Sequence, residues 1–372
     1  MELNNPHLDA PKADEVEISL FGPSYGECVV VHAGDGIWFV IDSCIIPGTG
    51  KSRPIEYFKS IGIDPSHAVK KIVATHWDGD HIGGLSQLLE VAKQSDFVVS
   101  GAVFCREFLT LIRLYDNSQF VSGPSVKEYA KILEILSKRG KQPLLAQQQM
   151  TIWNRNVGDQ EVACLISLAP SSAEVINGHK NIAKMLKHGQ LAETNRNERS
   201  VVLWLKVENA IVLLGGDLEE VNDKDRGWSA IILSDVKRPK AQLFKVPHHG
   251  SSTSHNQQIW SDLLVAHPPA IIAPWRKGNN ALPTSADIER IQQMTDHLYV
   301  TTIPQNKQNS RPNEIQRMIH ATVKNIRKVD ESLGHIRLRT KFQKINPVWE
   351  VALFNGARKV EGKMAKAFPK PL

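Results

Sequence analysis

The stretch THWDGDHIGG, residues 75–84, places two histidines and two aspartates within six residues, at His76, Asp78, Asp80 and His81. It follows the apolar run KKIVA, which is typical of a buried strand, so these side chains leave the end of a strand together. Imidazole and carboxylate groups bind divalent metal ions. In a turning loop we expect His76 and Asp78 to supply half the shell of one ion, and Asp80 and His81 half the shell of another.

Two later strand ends are expected to complete this centre. The run AIVLLGGDLEE places Asp217 directly after a strand, where its carboxylate can bridge both ions. The run LFKVPHHGSSTS places His248 and His249 after another strand. We predict His248 as the ligand, and His249 as a substrate contact or as the proton donor to the leaving group. Asp80 is predicted to orient the attacking hydroxide as well as to bind a metal ion.

Composition indicates a globular protein without a membrane span. The chain has 372 residues, 41% hydrophobic and 23% charged, which is ordinary for such proteins. No uncharged apolar run reaches the roughly 18–20 residues of a membrane span, and the first residues lack a signal-peptide pattern. Four widely spaced cysteines indicate reduced thiols rather than a disulfide framework. We therefore expect a cytoplasmic protein that does not bind membranes.

The positive charge is concentrated near the C-terminus. Residues 301–372 hold 15 Lys and Arg against 5 Asp and Glu, a net charge of +10, whereas the preceding 300 residues carry −4. A basic face of this kind attracts polyanions such as nucleic acid. The same excess is also compatible with a solvated basic tail. The sequence leaves both interpretations open.

The order of apolar runs predicts the fold class. The runs EVEISLFG, CVVVHAG and GIWFVIDSC predict three consecutive strands, and later strands alternate with helices. Mostly antiparallel strand groups with helices between them predict two stacked sheets covered by helices, a four-layer αββα arrangement of the α/β (α+β) class. We expect helices over 220–235 and 312–328. The predicted organisation is a flexible leader at 1–14, a catalytic domain at 15–305, and a basic helix plus β-hairpin at 306–372 that completes or flanks the same domain.

These motifs carry a resemblance to a known family. THWDGDHIGG resembles the H-x-H-x-D-H signature of the metallo-β-lactamase superfamily, and Asp42, Asp217 and His248 fall where its other motifs fall. A narrower likeness is to the hydrolase domain of the competence DNA-uptake protein ComEC, whose signature commonly reads H-x-D-x-D-H-I-G-G. FVIDSC, LLGGDLE and VPHHGSSTS also resemble that subgroup. The likeness covers about residues 16–303 and implies a metallo-β-lactamase sandwich that acts as a metal-dependent hydrolase.

The resemblance implies one or two divalent ions. Asp78 stands where most of the superfamily has its second histidine, and the narrower subgroup shares this substitution. A hard oxygen ligand suits manganese, magnesium or iron better than a histidine-rich zinc site does. Zinc remains an option, so the expected cofactor is Zn²⁺ or Mn²⁺, with Mg²⁺ or Fe²⁺ as alternatives.

One expected ligand of the first ion is missing. The superfamily usually has a histidine just before the strand that leads to the bridging aspartate, here Asp217. The corresponding stretch reads TNRNERSVVLWL, and the position falls near Arg196. Either Asn195, Asn197 or Glu198 substitutes weakly, or Arg196 takes the space of a ligand.

Four further side chains are assigned around the centre, together with Arg196 as a candidate contact for substrate. Asp42 is predicted to hold the ligand loop through hydrogen bonds rather than to bind an ion. Trp275 either forms a stacking wall for a base or packs in the core. Arg276 and Lys277 either contact substrate phosphates or lie on the surface.

Three functions remain open from the sequence. The leading hypothesis is a metal-dependent phosphodiesterase or nuclease in which metal-bound hydroxide attacks phosphorus. The second is a hydrolase of a small ester, of the lactone or phosphocholine type, because one fold supports many reactions. The third is a partly degenerate metal-binding regulatory module, which the gap near Arg196 suggests.

Overall fold

The computed structural model describes residues 8–22, 26–116, 124–188, 196–277, 280–303 and 334–370, together with 314, 318 and 322. Nearly all of the helix predicted at 312–328, and half of the leader predicted at 1–14, lie outside these residues. Among the described residues, no helix combines the length and apolar composition needed to cross a bilayer.

The strands and helices of the described residues follow one another closely along the chain. The strands are β1 (Glu15–Gly22), β2 (Cys28–Ala33), β3 (Trp38–Ile41), β4 (Val69–Ala74), β5 (Asp96–Ser100), β6 (Leu144–Ala146), β7 (Met150–Val157), β8 (Gln160–Ala169), β9 (Val202–Val207), β10 (Ala210–Leu214), β11 (Leu243–Lys245), β12 (Ala270–Ile272), β13 (Trp275–Lys277), β14 (Asn280–Leu282), β15 (Leu298–Val300), β16 (Gly334–Lys341), β17 (Glu350–Phe354) and β18 (Arg358–Lys359). The α-helices are α1 (Arg53–Ser60), α2 (Pro65–Ala68), α3 (Gly79–Ile82), α4 (Leu85–Val91), α5 (Arg106–Asp116), α6 (Pro124–Lys138), α7 (Ser172–His188), α8 (Gly227–Ile232) and α9 (Ser285–Gln292).

These strands form two large sheets and one small ribbon. The first sheet has the order β17-β16-β1-β2-β3-β4-β5-β6, and the second has the order β18-β15-β12-β11-β10-β9-β8-β7. Strands β13 and β14 pair separately. Strand β16 runs antiparallel to β1, with Lys341 opposite Glu15 and Gly334 opposite Gly22. Strands β16 and β17 are therefore part of the first sheet, whereas β18 pairs with β15 in the second.

The two large sheets pack face to face, with helices outside. Because successive side chains of a strand point to opposite faces, Val29 and Val31 of β2 enter the core between the sheets, whereas Val30 lies beneath the helices. Leu203 and Leu205 of β9 join the same central core from the second sheet. The inner strands are buried on both faces, which explains their continuous apolar runs. This architecture confirms the predicted αββα arrangement.

Helix α8 is shorter than the helix predicted over 220–235. It covers only Gly227–Ile232, and the residues before it form turns. There the amide of Val221 donates to the Glu220 side chain at 3.0 Å. Local bonds between side chain and backbone compete with helix formation, so the acidic start of this segment does not continue the helix.

Candidate metal centre

Asp42 holds the motif loop that follows β4 through its contacts with Thr75 and His81. The Asp42 carboxylate accepts hydrogen bonds from the backbone amide and the hydroxyl of Thr75, at 2.8 and 2.7 Å. It also lies 2.7 Å from Nδ1 of His81. A carboxylate at Nδ1 orients the imidazole and leaves Nε2 as the free donor. Asp42 thus lies behind His81, in the position expected for a residue that holds the loop.

Asp217 follows β10 at a point where the backbone passes close to Ser200 and Val201. The preceding Gly216 has φ +52°, and a Cβ there would lie 2.6 Å from the Ser200 hydroxyl and from the Val201 carbonyl oxygen. Only glycine fits this position. The Asp217 amide then donates to the Ser200 hydroxyl at 2.9 Å. As a result the Asp217 carboxylate faces His81, with 3.1 Å between Oδ2 and Nε2.

His249 enters the cluster, which differs from the sequence-based choice of His248. Nδ1 of His249 lies 2.8 Å from the carbonyl oxygen of Ala273, which turns Nε2 inward. That Nε2 lies 3.3 Å from Asp217 Oδ2 and 3.5 Å from Asp80 Oδ2. The side chain of His249 is only 4% exposed. The predicted order of the two neighbouring histidines is therefore reversed.

His248 instead lies at the rim. Its Nδ1 is 3.0 Å from the Glu219 carboxylate and 3.0 Å from the Thr253 hydroxyl, and its Nε2 accepts from the Asn197 amide at 3.0 Å. Both histidines have positive φ, +46° for His248 and +53° for His249. Two consecutive non-glycine residues in this region store strain, which is concentrated at functional sites.

Four donor atoms converge with the spacing that a bound ion requires. Between the two imidazoles and the two carboxylates, the nitrogen–oxygen distances are 3.1, 3.3, 3.5 and 3.9 Å. For ligands at about 2.1 Å from a tetrahedral ion, neighbouring donors lie about 3.4 Å apart. Nε2 of His81 is buried and has no hydrogen-bond partner among the described residues. The set Asp80, His81, His249 and Asp217 therefore fits one divalent ion.

Without a bound ion, protons on the two imidazoles of the cluster balance the negative charges of its carboxylates. Burial opposes protonation of His249, but the carboxylates of Asp217 and Asp80 outweigh it and raise its pKa to about 10. Burial likewise opposes the charge on His81, yet Asp217 and Asp42 hold its pKa well above the usual value. Against its own burial, the two imidazoles hold the pKa of Asp217 well below normal. A divalent ion would replace the two imidazole protons as the compensating charge.

A buried ion pair lies behind Asp217, and the sequence did not predict it. Nζ of Lys245 in β11 lies 2.5 Å from Glu27, 2.8 Å from the Gly216 carbonyl oxygen and 3.5 Å from Asp217 Oδ1. Glu27 and Lys245 side chains are 2% and 1% exposed. Burial raises the pKa of Glu27, an effect that the Lys245 ammonium opposes. The sequence signal for this pair is a charged residue at an apolar run: Glu27 directly precedes CVVVHA, and Lys245 lies within LFKVP.

The residues predicted for a first ion are arranged differently. His76 is buried, and its Nε2 has no hydrogen-bond partner among the described residues. Asp78 Oδ2 lies 3.8 Å from this nitrogen. The other oxygen of Asp78 accepts a hydrogen bond from the Arg196 guanidinium at 2.8 Å. An arginine is thus bound to one of the two predicted ligands.

The remaining predicted residues lie at different distances from the cluster. The ring of Trp275 stacks on that of His249, with centroids 6.3 Å apart and planes 22° apart. Trp275 is half-buried beside His249, and its stacking with a base stays a prediction. Arg276 and Lys277 follow it in β13, half-buried and exposed respectively. Their contact with substrate stays a prediction.

A model of a known protein family matches part of the chain. Residues 21–104 match the family model described as "Metallo-beta-lactamase superfamily". No curated protein matches the chain. The matched segment contains the motif loop, and together with the two-sheet architecture it supports a place in the metallo-β-lactamase superfamily. The two-sheet architecture is that of the metallo-β-lactamase fold.

Solved structures resemble the chain at low sequence identity. The metallo-β-lactamase fold protein YhfI from Bacillus subtilis is 10% identical, with 77% of this chain and 95% of that one covered and a TM-score of 0.38. MEM-A1, a subclass B3 metallo-β-lactamase from a soil metagenome library, is 13% identical, with coverages of 67% and 83% and a TM-score of 0.34. The CmlA β-hydroxylase E377D mutant is 14% identical, with coverages of 64% and 36% and a TM-score of 0.33.

Proposed function

We propose that the protein is a metal-dependent phosphodiesterase that acts as a nuclease. The observation that carries this proposal is the buried four-donor cluster of Asp80, His81, His249 and Asp217, whose donor spacing fits a divalent ion. A bound divalent ion supplies Lewis acidity and lowers the pKa of water toward neutrality. Zn²⁺ and Mn²⁺ are the proposed ions, with Mg²⁺ and Fe²⁺ as alternatives, because the set has two nitrogen and two oxygen donors.

The chain's own residues have separate roles in this proposal. Asp80 and Asp217 accept hydrogen bonds, so they can orient a water molecule beside the cluster. His249 belongs to the cluster, so we assign the contact with substrate to His248 at the rim. The Glu219 carboxylate, 3.0 Å from Nδ1 of His248, holds this ring in place.

Two features favour a nucleotide polymer as the substrate. The half-buried Trp275 beside His249 offers an aromatic surface on which a base can stack. Residues 301–372 carry the net charge of +10, which would attract a polyanion. The likeness of the motifs to the ComEC hydrolase domain favours DNA among the polymers. A cytoplasmic location remains part of the proposal.

One observation favours a small ester as a second candidate. In β16, Arg337 and Arg339 form ion pairs with Asp9 at 2.9 and 2.8 Å, and Lys341 pairs with Asp14 at 2.9 Å. Part of the C-terminal positive charge is thus compensated within the protein. A lactone or phosphocholine-type ester would not require a basic surface. The regulatory-module alternative is weaker, because the four-donor cluster is complete.

A cleavage assay tests this proposal. The purified chain is incubated with labelled single-stranded DNA, double-stranded DNA and RNA, and separately with bis-(p-nitrophenyl) phosphate and a simple lactone. Each reaction contains Mn²⁺, Mg²⁺, Fe²⁺ or Zn²⁺, or a chelator. Asp217→Asn removes a cluster carboxylate, and Asp262→Asn makes the same change at an exposed position.

The proposal expects metal-dependent cleavage of a polymer that Asp217→Asn abolishes and Asp262→Asn retains. Hydrolysis of the lactone alone, with the same dependence on Asp217, would move the assignment to a small-ester hydrolase. The absence of turnover with every substrate and ion would refute both candidates.

A further inference from the structure

Arg196 contacts Asp78, one of the two residues predicted to hold a second ion. Its guanidinium donates to Asp78 Oδ1 at 2.8 Å, and Asp78 Oδ2 lies 3.8 Å from Nε2 of His76. An ion held by His76 and Asp78 would therefore lie close to the guanidinium. Arginine keeps its positive charge in proteins and cannot serve as a metal ligand. The two cations would repel each other in a partly buried environment.

The position of Arg196 is fixed from two sides. Its guanidinium lies over the ring of the buried Trp77, 4.4 Å from the centroid, which is a cation–π contact. The turn that follows, Asn197–Arg199, is held by ion pairs: Glu198 pairs with Arg226, and Arg199 pairs with Glu174 at 3.4 Å. Arg199 and Glu174 are each 1% exposed. Arg196 therefore begins a turn that the core anchors.

The other polar residues of this turn are engaged elsewhere. The Asn197 side chain donates to His248 Nε2 at 3.0 Å and lies 3.4 Å from Glu219. Glu198 is mostly buried against Arg226. Of the substitutes that the sequence left open at this turn, Asn195 lies outside the described residues. The structure thus favours the alternative in which Arg196 takes the space of a ligand.

We infer that the chain binds one divalent ion, at Asp80, His81, His249 and Asp217, and that Arg196 is the permanent cation of the neighbouring position. This inference rests on the proposed metal-dependent hydrolase, because it concerns the number of ions at the same site. The guanidinium compensates the charge of Asp78, as a metal ion would. Unlike a metal ion, it cannot coordinate a water molecule or a substrate oxygen. The reaction therefore depends on one ion.

Metal counting tests this inference without any substrate. The full chain is stripped with a chelator, loaded with excess Mn²⁺ or Zn²⁺, desalted and analysed by mass spectrometry for metal per chain. Arg196→His removes the guanidinium and introduces an imidazole beside Asp78. Arg196→Lys is the matched control, since it keeps a positive charge and adds no ligand. Arg196→His combined with His76→Ala tests where an additional ion binds.

The inference expects one ion per chain for the wild type and for Arg196→Lys, and two for Arg196→His. The added His76→Ala change should return the count to one. Two ions in the wild type would overturn the inference while leaving the proposed hydrolase intact. One ion in a natively folded Arg196→His variant would overturn the role of Arg196, with native circular dichroism as the check on folding. No ion in the wild type would refute the inference and the metal-dependent function together.

Discussion

Replacement of Lys245 by methionine removes the ammonium that compensates a buried carboxylate. Lys245 lies 2.5 Å from Glu27, and both side chains are at most 2% exposed. Methionine has a similar length, so the packing volume is largely kept. Glu27 must then either stay charged in the interior, at a cost of several kcal/mol, or take up a proton.

Protonation sets the upper limit of this cost. The ordinary pKa of a glutamate is 4.5, so keeping Glu27 neutral at pH 7 costs about 3.5 kcal/mol, at about 1.4 kcal/mol per pH unit. The Gly216 carbonyl also loses the hydrogen bond from Lys245, which adds about 1 kcal/mol. We expect Lys245→Met to lower the free energy of unfolding by at most about 4 kcal/mol at pH 7 and about 2 kcal/mol at pH 5.

The sign of this pH dependence follows from burial, which raises the pKa of Glu27 and which Lys245 no longer opposes in the variant. In the folded variant Glu27 keeps a proton that the unfolded chain releases above pH 4.5, so the penalty is absent below 4.5 and grows as pH rises. Urea unfolding of the metal-free protein at both pH values, followed by tryptophan fluorescence, measures it. The double variant Glu27→Gln/Lys245→Met is the control and should lose about 1 kcal/mol at either pH. An equal loss for Lys245→Met at both pH values would show that Glu27 does not take up a proton in the folded variant.

Three further predictions concern the metal centre. Asp42→Asn removes the carboxylate that orients a cluster imidazole and should weaken metal affinity about 10- to 100-fold, measured by competition with a chelator. Because the pKa of His249 is raised to about 10, metal binding at pH 7 must release its proton, so affinity should rise with pH; calorimetry in two buffers of different ionisation enthalpy counts the protons. His249→Gln should lose the ion, whereas His248→Gln should keep the ion and lose turnover. Metal analysis of the two variants tests this assignment of the two histidines. Loss of the ion in His248→Gln, with the ion retained in His249→Gln, would contradict it.

The layer architecture could be predicted because its signal is local. Each inner strand is buried on both faces, so it reads as a short apolar run bounded by glycines or charged residues. The motif residues His76 to His81 lie directly after one such run, and Asp217 lies after another. The sequence places each of these residues at the end of a strand, and the stacking of the first sheet, which contains β4, on the second, which contains β10, brings them together.

The choice between His248 and His249 could not be made from the sequence. The two residues are identical and adjacent, and both adopt positive φ. The ring that turns inward is the one that reaches the carbonyl of Ala273 and packs against Trp275. These contacts come from Ala273, directly after β12, and from β13, more than twenty residues further along the chain, so no local pattern reports them.

Helix α7 was missed for a similar reason. Its segment, Ser172–His188, contains Gly178, and a glycine inside a helical pattern weakens the prediction. In the structure a Cβ at Gly178 would lie 2.2 Å from the Ala102 carbonyl oxygen. The glycine therefore permits close packing between the helix and the loop after β5. That requirement exists only in the folded protein.

An anomalous diffraction measurement tests the central claim most directly. Crystals of the full chain are grown with Mn²⁺ or Zn²⁺, and data are collected on both sides of the absorption edge of the ion. We expect one anomalous peak per chain, bounded by Asp80, His81, His249 and Asp217. The absence of a peak at saturating ion, or a peak only between His76 and Asp78, would contradict it.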